Sequence, residues 1–287
     1  MSPTAPPFGA RGRAPTDAQA LQHASIDPGL LAAKRFARVH GALELKAALL
    51  ALLLPAGSRR AERAFVLETA EVRAAAELHA HSRNLSRAAR LPWLECLAAR
   101  MSLHPLPVRQ ALLQSARRLL SARGRWEPRD RLLWMALRRG LGERPVVRLR
   151  PAGDAFATPW LPAEGSAIAC YTAFLARIVS VDASRHRPDG SDDLDWMKAV
   201  LAAWRLAAVD PPDGEGLVHA VGVLQTLPIL HRPLLTRAWV DAAVVYGPRG
   251  TLDDATADAL RISCRLLDSP LPPALARHYH GAEVPAE

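Results

Sequence analysis

Apolar residues recur along this chain at three- and four-residue intervals, in blocks separated by Pro and Gly and without sustained alternation, which predicts helices throughout. Asp27-Pro28 opens the first block with a capping carboxylate and Pro at the first helical position, and the periodicity runs from Gly29 towards Val39. A second, almost wholly apolar helix covers Leu43 to Leu54 and is stopped by Pro55-Ala56-Gly57. Arg59 to His79 reads as one long amphipathic stretch with Phe65, Val66, Val72 and Leu78 facing inward. Leu91 to Leu103 and Pro107 to Ala122 follow, divided by His104-Pro105, and Pro128 opens a helix that reaches Gly140. Helices resume over Ser166 to Val181, Asp192 to Val209 and Glu215 to Leu227, with a polar loop at Ser184 to Ser191 and a break at Asp210-Pro211-Pro212-Asp213-Gly214. Leu234 to Tyr246 and Asp253 to Leu267 complete the series.

The pattern implies an all-α array of packed helical hairpins. Pro145, Pro151, Gly153, Pro159 and Pro162 interrupt any regular helix, so residues 142–164 form the expected linker, with short β-like content at Val146 to Leu149 lacking a partner strand. The expected organisation is a tail at 1–16, a basic helical subdomain at 17–141, that linker, an acidic helical subdomain at 165–276 and a second tail at 277–287. A weak repeat links the two groups. His104-Pro105, a helix, Gly124 and the helix after Pro128 correspond to His231-Arg232-Pro233, a helix, Gly250 and the helix after Thr251, where Thr251 and Asp254 have capping-box spacing.

Composition narrows the class. Nearly half of the 287 residues are apolar, mostly Ala and Leu, which suits helices and is enough for a core without disulfides or metals. Cys96, Cys170 and Cys264 are widely spaced in apolar helical patterns and suggest neither a disulfide framework nor a thiolate metal site, which fits a reducing, cytoplasmic compartment. Residues 1–15 lack the apolar segment of a secretory signal, and the longest apolar run, Ala47 to Leu54, is far short of the roughly 20 residues of a membrane span.

Charge divides the chain. Residues 1–150 carry 26 Lys/Arg and 11 Asp/Glu, net +15, whereas residues 151–287 carry 11 and 17, net −6. Of the 37 basic residues 34 are Arg, a bias that a GC-rich genome also produces. A basic half of this kind suits an anionic membrane leaflet, nucleic acid or an acidic protein surface.

Candidate chemistry is sparse. There is no Gly-x-Ser-x-Gly elbow, phosphate-binding loop or dinucleotide fingerprint, so no catalytic residue and no cofactor is proposed from the sequence. His79 and His81 point about 200° apart on a helix and cannot share a zinc ion. His278-Tyr279-His280 reads as a solvated tail, and Asp192, Asp193 and Asp195 read as helix-start charges, as do Glu127 with Asp130 and Asp253 with Asp254. Trp93, Trp196, Trp204 and Trp239 have the spacing of core anchors. The densest basic cluster is Arg117, Arg118, Arg123, Arg125, Arg129, Arg131, Arg138 and Arg139, interleaved with Trp126 and Trp134. It is the candidate surface for an anionic partner, with Trp126 placed to stack on a base or enter a lipid interface and Trp134 read as core.

Four pieces in order carry a family resemblance: Leu49-Leu50-Ala51-Leu52-Leu53-Leu54, Leu91-Pro92-Trp93-Leu94-Glu95, the helix-turn-helix around Gly124, and Ala259-Leu260-Arg261 through Leu267-Asp268-Ser269-Pro270-Leu271-Pro272-Pro273. Over roughly residues 40–275 they resemble the helical region, itself similar to the tellurite-resistance TerB-like fold, that follows the peptidase domain of HtpX-like membrane zinc metallopeptidases. The His-Glu-x-x-His helix of that family is missing from this sequence, so the resemblance transfers no catalytic or zinc-binding residue. The Asp-Gly turns common in that region are here Arg123-Gly124 and Arg249-Gly250, which removes the acid a cation would need.

The resemblance implies a helical accessory protein without catalytic machinery, partnered by a membrane metallopeptidase or another protein and placed in the cytoplasm or at the inner membrane face, where an anionic leaflet is a further partner. Two alternatives stand beside it: a nucleic-acid-binding protein using the Arg117 to Arg139 cluster, and the separated non-catalytic half of a zinc metallopeptidase.

Overall fold

The computed structural model describes residues 27–55, 57–142, 160–180 and 195–281. The protein is all-α: among the described residues there are thirteen α-helices, a 3-10 turn at Pro248–Gly250 and no strand. The helices are α1 (Pro28–Ala37), α2 (Ala42–Leu53), α3 (Arg59–Glu68), α4 (Ala75–Asn84), α5 (Arg87–Ser102), α6 (Leu106–Ser121), α7 (Pro128–Leu141), α8 (Pro162–Leu175), α9 (Asp195–Ala203), α10 (Gly214–Leu224), α11 (His231–Tyr246), α12 (Asp254–Leu266) and α13 (Pro273–His278).

Local chemistry sets most of the starts. Side chains of Asp27, Ser58, Ser86 and Asp213 accept from the amides of Gly29, Ala61, Ala89 and Gly216, giving α1, α3, α5 and α10 their N-caps. The Glu127 amide donates to Asp130 and the Leu161 amide to Glu164, each 3.0 Å, closing the first turns of α7 and α8. Gly124 at φ 88° and Gly250 at φ 70° turn the two hairpins predicted as a repeat, α6–α7 and α11–α12. Both hairpins begin with a helix of 16 residues, and they pack against each other through their second helices. The cap of α12 is Asp253, which accepts from the Thr256 amide at 2.8 Å; Thr251, the residue expected there, donates instead to the Pro248 carbonyl.

Ends depart further from expectation. Thr69 Oγ1 donates to the Phe65 carbonyl where α3 stops, so Arg59 to His79 is two helices and not one. Phe65 and Leu78 are buried as expected, but Val66 is exposed. Helix α9 stops at Ala203, six residues early, because Arg205 takes a left-handed conformation and the Leu206 amide bonds the Leu201 carbonyl. Asp268 does the same after α12, with the Ser269 amide on Cys264. The Asp-Ser-Pro sequence at 268–270 is therefore a helix stop with Pro just beyond it. Helix α5 starts at Arg87 and carries Pro92 inside it, and α8 starts at Pro162, within the expected linker. Residues 143–159 of that linker, with the β-like residues 146–149 among them, the N-terminal tail, the polar loop, Asp192 and Asp193 lie outside the described residues.

Two helices are apolar all round and sit at the centre of the packing. From Ala47 to Leu53 every residue of α2 is buried, against α4, α5 and α6. Helix α8 is buried from Ala167 to Ala169 and from Tyr171 to Leu175; it packs on α10 and α9. Around it Trp239 Nε1 donates to Thr172 Oγ1, Trp196 Nε1 to the Trp239 carbonyl, and Tyr171 shares a hydrogen bond with Ser263. Trp93, Trp196 and Trp239 are the core anchors expected of them, whereas Trp204 is half-buried. All three cysteines are free, and burial pushes the Cys264 thiol up to about 12, which keeps it protonated.

Buried residues of the two groups form one hydrophobic cluster. Helix α12 packs on α7 and α5. Arg261 holds Glu95 through two hydrogen bonds of 2.8 and 3.0 Å, Arg129 pairs with Asp258 at 2.7 Å, and Arg139 pairs with Asp268. Tyr279, expected in a solvated tail, is buried: its hydroxyl donates to Asp258 at 2.9 Å and the Arg261 guanidinium lies 4.5 Å from its ring centre. His278 beside it bonds Asp254. Arg232 is buried in the first turn of α11, with its guanidinium donating to the carbonyls of Gln225, Leu227 and Leu267. It thereby caps the C-terminal ends of α10 and α12 together.

Candidate functional site

Helix α7 presents Arg131, Met135 and Arg138 at intervals of four and three residues, so all lie on one face, with Gly142 just past its end. On one side α6 contributes Gln110, Leu113 and Arg117, and on the other α10 contributes Gly214, Leu217, Val218, Val221 and Gly222, with Gln225 at its C-cap. Because α10 packs chiefly on α8 and α7 on α6 and α12, the space between α7 and α10 stays open. It forms two cavities of about 620 and 670 Å³ that share Met135, Arg138 and Val218 and so make one trough. Arg131 to Gly142 spans about 16 Å at the helical rise.

The floor is apolar, from Leu113, Met135, Leu217, Val221 and, below them, Leu266 of α12. Val218 stands 53% exposed over it. Trp126 and Trp134 close one end, edge to face at 6.2 Å, with Trp126 Nε1 donating to Ser121 Oγ. At that end Arg131 reaches across to the start of α10, where a Cβ on Gly214 would lie 2.7 Å from its guanidinium.

The nine residues of the sequence-derived surface separate into three groups. Arg118 is held by Glu68 through two hydrogen bonds, Arg123 by Glu127 at 2.6 Å, Arg129 by Asp258 and Arg139 by Asp268. Their charge is already matched. Arg118 in turn holds the Glu68 carboxyl down at about 2. Arg125 is exposed on the α6–α7 turn and does not line the trough. Arg117, Arg131 and Arg138 line it with Trp126, as does the paired Arg139, and among the described residues none of the first three has a carboxylate within ion-pair distance.

Sequence reasoning missed the opposite wall and placed Trp134 in the core, whereas it is half-buried in the trough. The available signal was α10 itself: Leu217, Val218, Val221, Val223 and Leu224 are too many apolar residues for one buried face, and the surplus Val218 points outward.

The trough can grip a ligand that combines anionic groups with apolar surface. Among the described residues no acid–base pair lines it and no three of His, Cys, Asp and Glu form a group able to hold a metal ion. His79 packs on Phe65 at 5.3 Å, and burial lowers its pKa. Among the described residues no helix is long and apolar enough to cross a membrane. Compared with models of protein families, with curated proteins and with solved structures, the chain matches none.

Proposed function

We propose that this protein is a helical interaction module that holds an anionic partner in the trough between α7 and α10. One observation carries the reading: Arg117, Arg131 and Arg138 face an apolar floor with no carboxylate partner among the described residues, while four neighbouring arginines are each matched by one. Three like charges converging on one trough repel each other, and an anionic ligand relieves that repulsion. The family resemblance makes a membrane metallopeptidase the first partner to test.

The test compares the tagged protein with a variant carrying Arg117→Glu, Arg131→Glu and Arg138→Glu, captured from native cells and washed at low and high salt. Arg125→Glu, outside the trough, is the control. Loss of the captured partner in the triple variant alone supports the trough; equal loss in the control, or no loss in either, overturns it.

A second reading, single-stranded nucleic acid, draws on the Trp126–Trp134 pair beside the arginines. Three phosphate contacts predict that log K falls with log salt at a slope of about −2. A flat salt dependence of nucleic-acid binding removes that reading.

A further inference from the structure

The long walls of the trough are helices, and no described residue covers it. Each wall repeats every turn. Helix α7 offers Arg131, Met135 and Arg138; α10 offers Gly214, then Leu217 with Val218, then Val221 with Gly222, then Gln225. Helices α6, α7 and α10 thus present three sides of a bundle whose remaining side no described residue fills. The about 16 Å available is the length of an eleven-residue, three-turn helix.

Gly222 adds a separate observation. It lies within α10 on the trough wall, at an ordinary helical φ, and a Cβ built on it would meet nothing within 4 Å. Gly in a helix interior is less favourable than Ala, and among the described residues no contact requires one there. A backbone that must come close to α10 from outside gives it a use.

We infer that the occupant is an acidic amphipathic helix of a partner protein, laid along α7 with its apolar stripe on Met135 and Val218 and its carboxylates against Arg117, Arg131 and Arg138; this rests on the anionic-partner reading above. The arginines stand along one face of α7 and on α6 at helical spacings, which matches Asp or Glu flanking an i, i+3, i+4, i+7 apolar stripe. The apolar floor favours this over a bare polyphosphate, which would leave Met135 and Val218 uncovered.

The test titrates a labelled three-turn peptide, with leucines at i, i+3, i+4 and i+7 flanked by glutamates, against the full chain. A scrambled peptide of the same composition and a single-stranded oligonucleotide serve as competitors. The expected result is binding at least about tenfold tighter for the amphipathic peptide than for the scrambled one. Gly222→Leu fills the trough and lowers the peptide's affinity about tenfold or more, while Gly222→Ala, a better helix former, leaves the fold at least as stable. Equal binding of both peptides, lost on Arg117→Glu, Arg131→Glu and Arg138→Glu but kept in Gly222→Leu, overturns the helix and keeps the anionic reading. Stronger competition by the oligonucleotide than by the peptide also overturns the helix. Absence of any binding, together with partner capture that ignores the three arginines, overturns both.

Discussion

Asp258 is the acid on which pH should act most clearly. Its carboxylate is almost fully buried at the contact of α7, α12 and α13, where it accepts from the Arg129 guanidinium at 2.7 Å and the Tyr279 hydroxyl at 2.9 Å. Burial outweighs both and pushes it up to about 6 from an ordinary value near 3.8. Between roughly pH 4 and pH 6 the folded protein keeps a proton on Asp258 that the unfolded chain has released, so this group's contribution to stability falls as pH rises through that window. Two units at 1.36 kcal/mol each amount to about 3 kcal/mol, complete just above pH 6. Asp258→Asn removes the titration and keeps an acceptor for Tyr279. Urea unfolding followed by tryptophan fluorescence, run on both proteins from pH 4 to pH 7, should show the variant gaining about 3 kcal/mol on the wild type across the range. Arg129→Met gives a cross-check, because it leaves a buried charge unpaired: a cost of about 3–5 kcal/mol at pH 7 that shrinks towards pH 4. Parallel pH profiles for wild type and Asp258→Asn would sink the argument.

Three further outcomes follow from the packing. Arg232→Met strands the carbonyls of Gln225, Leu227 and Leu267, so the unfolding midpoint should drop with a loss of about 3 kcal/mol or more; a loss below about 1 kcal/mol would show that water replaces the guanidinium. Leu50→Ala, at the centre of α2, should cost about 2–5 kcal/mol in the same assay, whereas Leu103→Ala, at an exposed position, should stay within about 0.5 kcal/mol. Glu68, held down at about 2 by Arg118, stabilises the fold above its unfolded pKa and loses that contribution as pH falls through its folded one. Arg118→Ala should therefore move the acid-unfolding midpoint upward, by little because Arg118 is exposed; an unchanged midpoint would mean that solvent already screens the pair.

Helix identity was legible because the signals are local. Asp27-Pro28, Pro128 and the left-handed Gly124 and Gly250 each fix their element from within a few residues. What was not legible depends on partners far away in sequence. Nothing in 117–139 distinguishes Arg129 from Arg131; what separates them is Asp258, about 130 residues on, which takes the first and leaves the second facing α10. The charge division has the same explanation in part, since Arg129 and Arg139 of the basic half meet Asp258 and Asp268 of the acidic half inside the fold. Val66 misled because it directly follows Phe65 in the helix Arg59–Glu68 and so points about 100° away from the buried side that Ala61 and Phe65 share. Tyr279 misled because a short helix after Pro272 brings an apparent tail back over Arg261.

The seam where α12 lies on α5 and α7 also sets an order of events during synthesis. Its two sides are far apart in the chain: α7 ends at Leu141 and α12 at Leu266, so 125 residues must be added after the first side is made before the second exists. At ribosomal rates this interval is about 6–25 s. During it the surface formed by Leu91, Leu94, Leu133 and Leu137, with the Glu95 carboxylate among them, has no covering helix. The nascent N-terminal half should therefore be a client of ribosome-associated holding factors. Stalled chains ending before α12 should be cut by protease in α5 and α7, and chains carried through α13 should resist.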